Sequence, residues 1–302
     1  MKKVNNYIKS QFNIKDLENL SGVKAHTIRI WEKRYKLLKP KRTDTNIRYY
    51  DNEDLQRILN VALLNSNGVK ISKIADLNDQ DLLVAVREFM VRNEKSDYAI
   101  NSFKLSMMNF DHQLFDQTYH QLLSKKSFRE IFIDVFVELL EQIGLLWQTN
   151  TITPAHEHFI SNLIKQKLQL QIEKAQALNV VKKEQVFVLF LPQNEIHELG
   201  LMFIHMSLLL HGYSSIYLGQ SIPLACLTDM HKLHDQINFI SYFTIMPPTN
   251  EVNQYLQQIH EQVLRPNKDL FYVLGKKMGH LKIVENQGVK TFSSIQEILN
   301  TI

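Results

Sequence analysis

Three sets of residues in this chain have the types and spacing to do chemistry. The first is Glu195-Ile196-His197-Glu198-Leu199-Gly200, of the form Glu-x-His-x-x-Gly. A neutral imidazole can ligate a metal through one nitrogen while its other nitrogen donates to a carboxylate, which fixes the tautomer and raises the ligand's basicity. Glu195, two residues before His197, is placed for that, and Gly200 allows close approach of a bulky ligand or a neighbouring helix. The spacing alone is a weak signal, because a lone His is more often unligated. The second set is Trp147 and, after nine intervening residues, Glu157-His158. Two helix ends joined by a short loop would bring an indole near a carboxylate and an imidazole. Taken by themselves, these residues fit a core Trp and two exposed polar groups at least as well. His156 and His158 stand two apart, so on a helix they diverge, which argues against a zinc pair. The third set is basic: nine Lys/Arg against two Asp/Glu between Lys24 and Arg48.

These sets sit in a 302-residue chain of net charge +4. The charge is uneven. Residues 1–80 carry a net +7 and the remainder a net −3. A basic head on a slightly acidic body is the footprint of a nucleic-acid-binding module joined to another function. The one cysteine, Cys226, excludes an intrachain disulfide and a cysteine metal cluster. No apolar run is long enough to span a membrane, and the Met-Lys-Lys start has no apolar stretch behind it, so a cytoplasmic protein is expected.

The elements that must position the basic set come first in the chain. Residues 1–11 are polar and read as a loose tail. Ile14, Leu17 and Leu20 recur at helical spacing, Ser21-Gly22 is a turn, and a second helix follows from Val23 or Lys24, which together make a helix-turn-helix. In the second helix Ile28, Trp31 and Tyr35 should face inward. His26, Arg29 and Lys33 fall opposite, with Arg34 near the edge. Arg29 is the candidate for a bidentate guanine contact, and Lys33 and Arg34 are candidates for phosphate. An ordinary solvent-facing basic helix is the plainer alternative. Pro40 ends the helical phrase, Asp44-Thr45-Asn46 reads as a turn, and Ile47 to Tyr50 alternate like a short strand, giving a basic two-stranded wing. Asp51 can cap the next helix, with Leu55, Ile58, Leu59 and Ala62 as its apolar stripe.

The middle, residues 81–180, is helical by period. Leu83, Val86, Phe89 and Met90 form one stripe, and helices are expected over Phe103–Met108 and Phe115–Leu123. Ser127 caps a longer helix with Ile131, Val135, Leu139 and Leu146 inward. Thr153-Pro154 starts another, in which Ile160, Ile164, Leu168 and Ile172 keep a four-residue spacing. This is a bundle of about four helices. From 181 to 302 the pattern alternates β and α. Strands are expected at Val186–Leu191, Ser215–Leu218, Ile237–Phe243 and Leu270–Leu274, and helices at about His197–His211, Leu224–Leu233 and Asn253–Val263. That predicts a doubly wound, Rossmann-like parallel sheet with ligands beyond the strands' carboxyl ends, where Glu195 and His197 lie. The whole is multidomain, α plus α/β, with boundaries at 1–80, 81–180 and 181–302.

The run from His26 to Leu55, HTIRIWEKRYKLLKPKRTDTNIRYYDNEDL, closely resembles the DNA-binding domain of the MerR family of bacterial transcriptional regulators, over roughly Phe12 to Leu77. The resemblance implies dimers on palindromic promoter DNA and DNA contacts from Arg29, Arg34, Arg42, Thr43, Arg48 and Tyr49. IRIWEKRY followed by LLKPKRT looks like the branch that carries a cobalamin-binding domain. Trp147, nine residues, then Glu157-His158 looks like the bundle motif of the cobalamin-dependent, light-sensing MerR repressors of the CarH type, with Trp147 and Glu157 near the upper axial group. Glu195-x-His197-x-x-Gly200 resembles the cobalamin-domain signature, in which His197 would be the lower axial ligand to cobalt. Tyr217-Leu218-Gly219, after the second strand, also resembles that family. The family's Ser-x-Leu and Gly-Gly elements, which line the channel for the cofactor's nucleotide tail, stand here as Ser241-Tyr242-Phe243 and Leu274-Gly275, so Phe243 and Leu274 are expected to narrow the channel. Gln148 stands where the light sensor has His. The resemblance thus implies a cobalamin, adenosylcobalamin foremost, and a homodimer or homotetramer. A cofactor-free domain used only for assembly is the alternative. A corrinoid methyl-transfer enzyme is disfavoured by the DNA-binding head, so no catalytic residues are assigned.

Overall fold

Asn13 opens the first helix. Its side chain accepts the backbone N–H groups of Lys15 and Asp16, and the Asp16 carboxylate accepts the N–H of Asn13 in return. That helix, α1 (Ile14–Ser21), ends at Gly22, whose φ of 75° suits a residue without Cβ. The computed structural model describes residues 11–92, 97–178, 181–280 and 288–301, so the tail expected at the N-terminus lies, apart from Gln11, outside the described residues. The chain divides into two compact units, Met1–Leu163 and Ile164–Ile302.

In the first unit α2 (Ala25–Tyr35) follows a three-residue turn. It has no capping side chain of its own, and Glu18 of α1 accepts the Ala25 N–H at 3.2 Å instead. Ile28 and Trp31 are buried, as their spacing predicts, and Tyr35 is half-buried. The wing is β1 (Lys41–Arg42) antiparallel to β2 (Arg48–Tyr49), closed by a turn in which Asn46 takes a φ of 64°. Phe12 and Tyr50 exchange two backbone hydrogen bonds of 2.8 Å beside it. Asp51 caps α3 (Asn52–Ser66), whose predicted stripe is buried. After α4 (Ile71–Ala75) comes α5 (Asp79–Arg92), which buries Leu82 and Val86, with Leu83 only half-buried; the side chains of Phe89 and Met90 lie outside the described residues. Arg57 of α3 donates to the carbonyls of Leu37 and Leu77 at 2.9 and 3.0 Å, which anchors the chain on either side of α3.

Four helical rods follow: α6 (Asp97–Asn109), α7 (His112–Leu123), α8 (Phe128–Ile131) continued by a π-helical stretch, Phe132–Phe136, into α9 (Val137–Gln148), and α10 (Pro154–Gln176), whose residues from Ile164 on belong to the second unit. Ser127 caps α8 with Glu130 in return, and Ile131, Val135, Leu139 and Leu146 are buried along one side. Phe103, Phe115 and Phe136 form an aromatic centre with ring centroids 4.9 to 6.2 Å apart. Ile160, Ile164 and Leu168 of α10 are fully buried. Two polar contacts fasten the head to the bundle. Asn19 Nδ2 donates to Thr151 Oγ1 at 2.9 Å, and Lys104 Nζ donates to the Leu20 carbonyl at 3.0 Å. Leu20 lies in the last turn of α1, where the helix dipole favours a cation. Burial pushes the Lys104 ammonium down to about 8.

The second unit is a five-stranded, all-parallel sheet of order β4-β3-β5-β6-β7, with β3 (Lys182–Pro192), β4 (Tyr213–Ile222), β5 (Ile237–Tyr242), β6 (Leu270–Leu274) and β7 (Val289–Phe292). Val186, Val188 and Phe190 face α12 (Leu224–Leu227) and α13 (Val252–Gln262). The other face is covered by α11 (Leu199–Leu210) and α14 (Ile295–Leu299). Both faces are thus buried, which is why β3 reads as a continuous apolar run. Two expectations need correction, and one strand was not expected. β4 runs on to Ile222, so Tyr217-Leu218-Gly219 lies inside the strand rather than after it, and the register with β3 shifts there, with Gly219 at a φ of 90°. The helix expected over Leu224–Leu233 is α12 followed by a 3-10 turn, Thr228–Lys232. β7 is an edge strand of only four residues with Lys290 and Thr291 exposed, so it lacks the apolar signature of the others.

Candidate functional site

The head presents one cationic face. Along α2 His26, Arg29, Ile30, Lys33 and Arg34 are all exposed, at the spacing of a single stripe. Arg29 and Lys33 make no ion pair among the described residues, and Arg34 lies 5.4 Å from the centroid of the Tyr35 ring. On the wing Arg42 and Arg48 are exposed, and Thr43 and Tyr49 are half-buried. Thr43 has a local task as well: its Oγ1 accepts the Ile47 N–H at 3.1 Å and shapes the turn, while Arg42 donates to Asn46 Oδ1 at 2.7 Å. Glu32, which the sequence reading left unassigned, joins the recognition helix to the wing. Its carboxylate accepts the Tyr50 hydroxyl and lies 3.6 Å from Arg48, and its side chain is only 8% exposed. The partner lies 18 residues along the chain, so no local spacing points to it.

In the bundle Trp147 ends α9 and is 45% exposed, so it is not a core Trp. Leu145 beside it is exposed too. On α10 Glu157 is half-buried and His158 exposed, whereas His156 is fully buried, stacks on Phe110 at 4.8 Å and accepts the Thr153 N–H at 3.2 Å. The two histidines do diverge.

In the second unit Glu195 is the centre of a closed set of hydrogen bonds. It is 1% exposed, in the loop between β3 and α11. Oε1 accepts the backbone N–H groups of Ile196 and His197 at 2.9 and 3.0 Å and the His197 Nδ1–H at 2.5 Å. Oε2 accepts the N–H groups of Ile245 and Met246 at 2.7 and 2.8 Å. Burial alone would raise this carboxyl, but the bonds from His197, Met246 and Ile245 outweigh it and hold Glu195 at about 2. Glu195 is therefore a carboxylate at neutral pH, which favours a proton on the His197 Nδ1 that faces it. The loop is braced from its other side: the Asn194 N–H donates to Ser221 Oγ at 3.0 Å and Gln220 Nε2 to the Ile196 carbonyl at 3.1 Å. Lys277, also unassigned from sequence, donates to the carbonyls of Ile245 and Pro247 at 2.9 and 2.8 Å and so fixes the segment that feeds Glu195. Ile245 and Met246 lie 50 and 51 residues from Glu195 and carry no periodic signal.

The sheet order places this loop at the topological switch, because β3 and β5 are neighbours while their connections leave in opposite directions. Ser241 at the end of β5 is fully buried, and its Oγ has no hydrogen-bond partner among the described residues. An oriented imidazole and an orphaned hydroxyl at one switch point fit a metal-bearing cofactor with a polar tail. Gly200 and Gly275 have closer duties. A Cβ on Gly200 would stand 2.9 Å from the Tyr242 ring, and one on Gly275, at a φ of 147°, would stand 2.2 Å from the Phe243 carbonyl oxygen. Each glycine thus makes room for protein. Phe243 packs in the apolar core against Tyr255 and Phe271, and Leu274 is fully buried.

Two family models match the chain, one on the head and one on the helical bundle. Residues 12–81 match the MerR HTH family regulatory protein family, and residues 99–170 match the B12 binding domain. The chain is 27% identical to the HTH-type transcriptional repressor CarH of Myxococcus xanthus over 218 residues, 70% of this chain and 72% of that protein. It is 26% identical to the HTH-type transcriptional repressor CarA of the same organism over 297 residues, 95% of this chain and 94% of that protein. Among solved structures, a monomethylamine corrinoid protein of Methanosarcina barkeri aligns over 68% of this chain and 97% of its own, with a TM-score of 0.54 at 10% identity, which is a likeness of fold. Among the described residues no helix is long and apolar enough to cross a membrane. The chain carries a MerR-type helix-turn-helix domain followed by a B12 binding domain, and it is a homologue of the CarH and CarA repressors.

Proposed function

We propose that this chain is a transcriptional regulator, not an enzyme, that works in the cytoplasm and whose hold on promoter DNA is set by a cobalamin through its oligomeric state. The observation that carries the reading is the buried Glu195 carboxylate, fixed by four backbone N–H groups and the His197 imidazole, because a histidine so oriented suits an axial metal ligand. In this reading residues 1–80 bind double-stranded DNA, 81–180 cap the cofactor and 181–302 hold it. His197 would ligate the cobalt. Trp147, Glu157, His158 and Ser241 would contact the cofactor, with Gly200 and Gly275 acting through Tyr242 and Phe243. When bound, adenosylcobalamin supplies a cobalt centre whose upper bond is photolabile. Arg29 reads a base; Lys33, Arg34, Arg42, Thr43, Arg48 and Tyr49 hold the backbone of the duplex. A ligand that favours one assembly state of a homodimer or homotetramer changes DNA occupancy by mass action alone.

A second reading keeps the DNA head and makes the sensor a cofactor-free assembly module. It is favoured by Phe243, whose ring fills the core and whose carbonyl oxygen occupies the space beside Gly275, and by Gln148. Reconstitution with adenosylcobalamin in the dark, followed by absorbance spectra and gel filtration before and after green light, separates the two. The first reading expects a bound corrinoid whose spectrum changes in His197→Ala and a shift of oligomer size on illumination. No retained corrinoid establishes the second.

A further inference from the structure

The exposed stripe of α2 contains one residue that charge does not explain. Ile30 is 54% exposed and lies among His26, Arg29, Lys33 and Arg34. Packing does not require it, since the inward positions belong to Ile28 and Trp31. Helix propensity does not favour it either, because a β-branched side chain loses rotamer freedom in a helix. An apolar protein surface is a poor partner. Covering Ile30 would also strip water from Arg29, Lys33 and Arg34 without supplying anions, and unpaired buried charge is costly. The partner must be strongly anionic and still offer an apolar spot at the depth of a side chain. Double-stranded DNA has one such group on its major-groove edges, the thymine 5-methyl.

We propose that Ile30 is a specificity-determining residue that packs on a thymine methyl group, next to the base taken by Arg29; this rests on α2 being the recognition helix of the reading above. The stiffness that disfavours isoleucine in a helix then becomes useful, because its side chain is already close to one rotamer before contact is made.

The test uses the full-length chain. A site is selected from a random duplex pool and resynthesised with deoxyuridine replacing each thymine in turn, which removes only the methyl group. Wild type and Ile30→Ala are titrated against every duplex. The wild type should lose about fourfold in affinity at one thymine of each half-site, the worth of one buried methyl. Ile30→Ala should bind the thymine duplex about as weakly and no longer distinguish the two bases there, while Ile30→Val keeps most of the preference. Affinity for random-sequence DNA and the circular dichroism spectrum should not change, since position 30 is an exposed helical site. Equal wild-type affinity for every deoxyuridine duplex, or an undiminished thymine preference in Ile30→Ala, overturns the role of Ile30 and leaves the DNA reading standing. Failure to enrich any sequence overturns the DNA reading, and the role of Ile30 with it.

Discussion

The cationic face of the head and the imidazole site of the α/β unit solve opposite problems. On α2 the working groups stand in water with few fixed partners, and their positions come from a rigid helix rather than from bonds to their own charged ends. At His197 the side chain that would meet the ligand is fixed through a carboxylate that is itself 1% exposed and saturated with donors. A long, repetitive polyanion can tolerate side chains that adjust on contact. A single metal bond cannot, because a misplaced imidazole forfeits the bond.

Five substitutions probe this contrast. The largest is at Glu195. Glu195→Gln should weaken corrinoid binding 10–100-fold, read by spectral titration, and lower stability at pH 7 by about 2–3 kcal/mol. The folded carboxyl is held near 2, below its ordinary value of 4.5, so this stability is present above about pH 4.5 and is lost as pH falls from there toward 2. A wild-type acid-denaturation curve matching that of Glu195→Gln would remove Glu195 from the account.

Lys104 comes next, as a cation that is buried where those of α2 are exposed. Its folded value of about 8 lies below the ordinary 10.5, so it binds fewer protons folded than unfolded between those limits. Its contribution therefore becomes more favourable as pH rises from 8 to 10.5, by at most about 3 kcal/mol. Chemical denaturation of wild type and Lys104→Met across that window should show a slope in the difference; parallel curves refute it.

Arg29→Ala should cost roughly 1–3 kcal/mol in specific DNA binding and relax one base position, whereas Arg42→Ala should weaken all sequences alike and reduce the salt slope by about one. An equal loss for Arg29→Ala on every sequence would make Arg29 a phosphate contact. The smallest effect is at Glu32. Glu32→Ala leaves the buried Tyr50 hydroxyl without its acceptor, at about 1–2 kcal/mol of stability, and should loosen the wing, visible as faster amide exchange at Tyr49 and Tyr50.

Much of this fold is legible in the sequence wherever one period dominates. Ile131, Val135, Leu139 and Leu146 announce one side of a helix, and Val186 to Leu191 a strand buried on both faces. β7 escapes because an edge strand with Lys290 and Thr291 in water need not be apolar. In the candidate sites the local pairs could be read directly, such as Glu195 with His197 two residues on. The long-range ones could not: Ile245 and Met246 on Glu195, Tyr50 on Glu32, and Leu20 on Lys104 across 84 residues. Backbone donors have no residue signature, and a carboxylate in a helix reads as a solvated charge until the fold brings a hydroxyl to it.

The pairing of Glu32 with Arg48 has a further consequence for how this head should respond to electrolyte. Arg48 already has an internal counter-ion at 3.6 Å. On turning to a phosphate, as proposed, it would exchange one anion for another, and the carboxylate it leaves would be kept by Tyr50. Lys33 has no such ion pair among the described residues, and each phosphate it neutralised in the proposed complex would release a condensed cation from the duplex. The seven polar side chains on this face are thus unequal, and the salt exponent of DNA binding should fall below the number of basic groups that touch the helix.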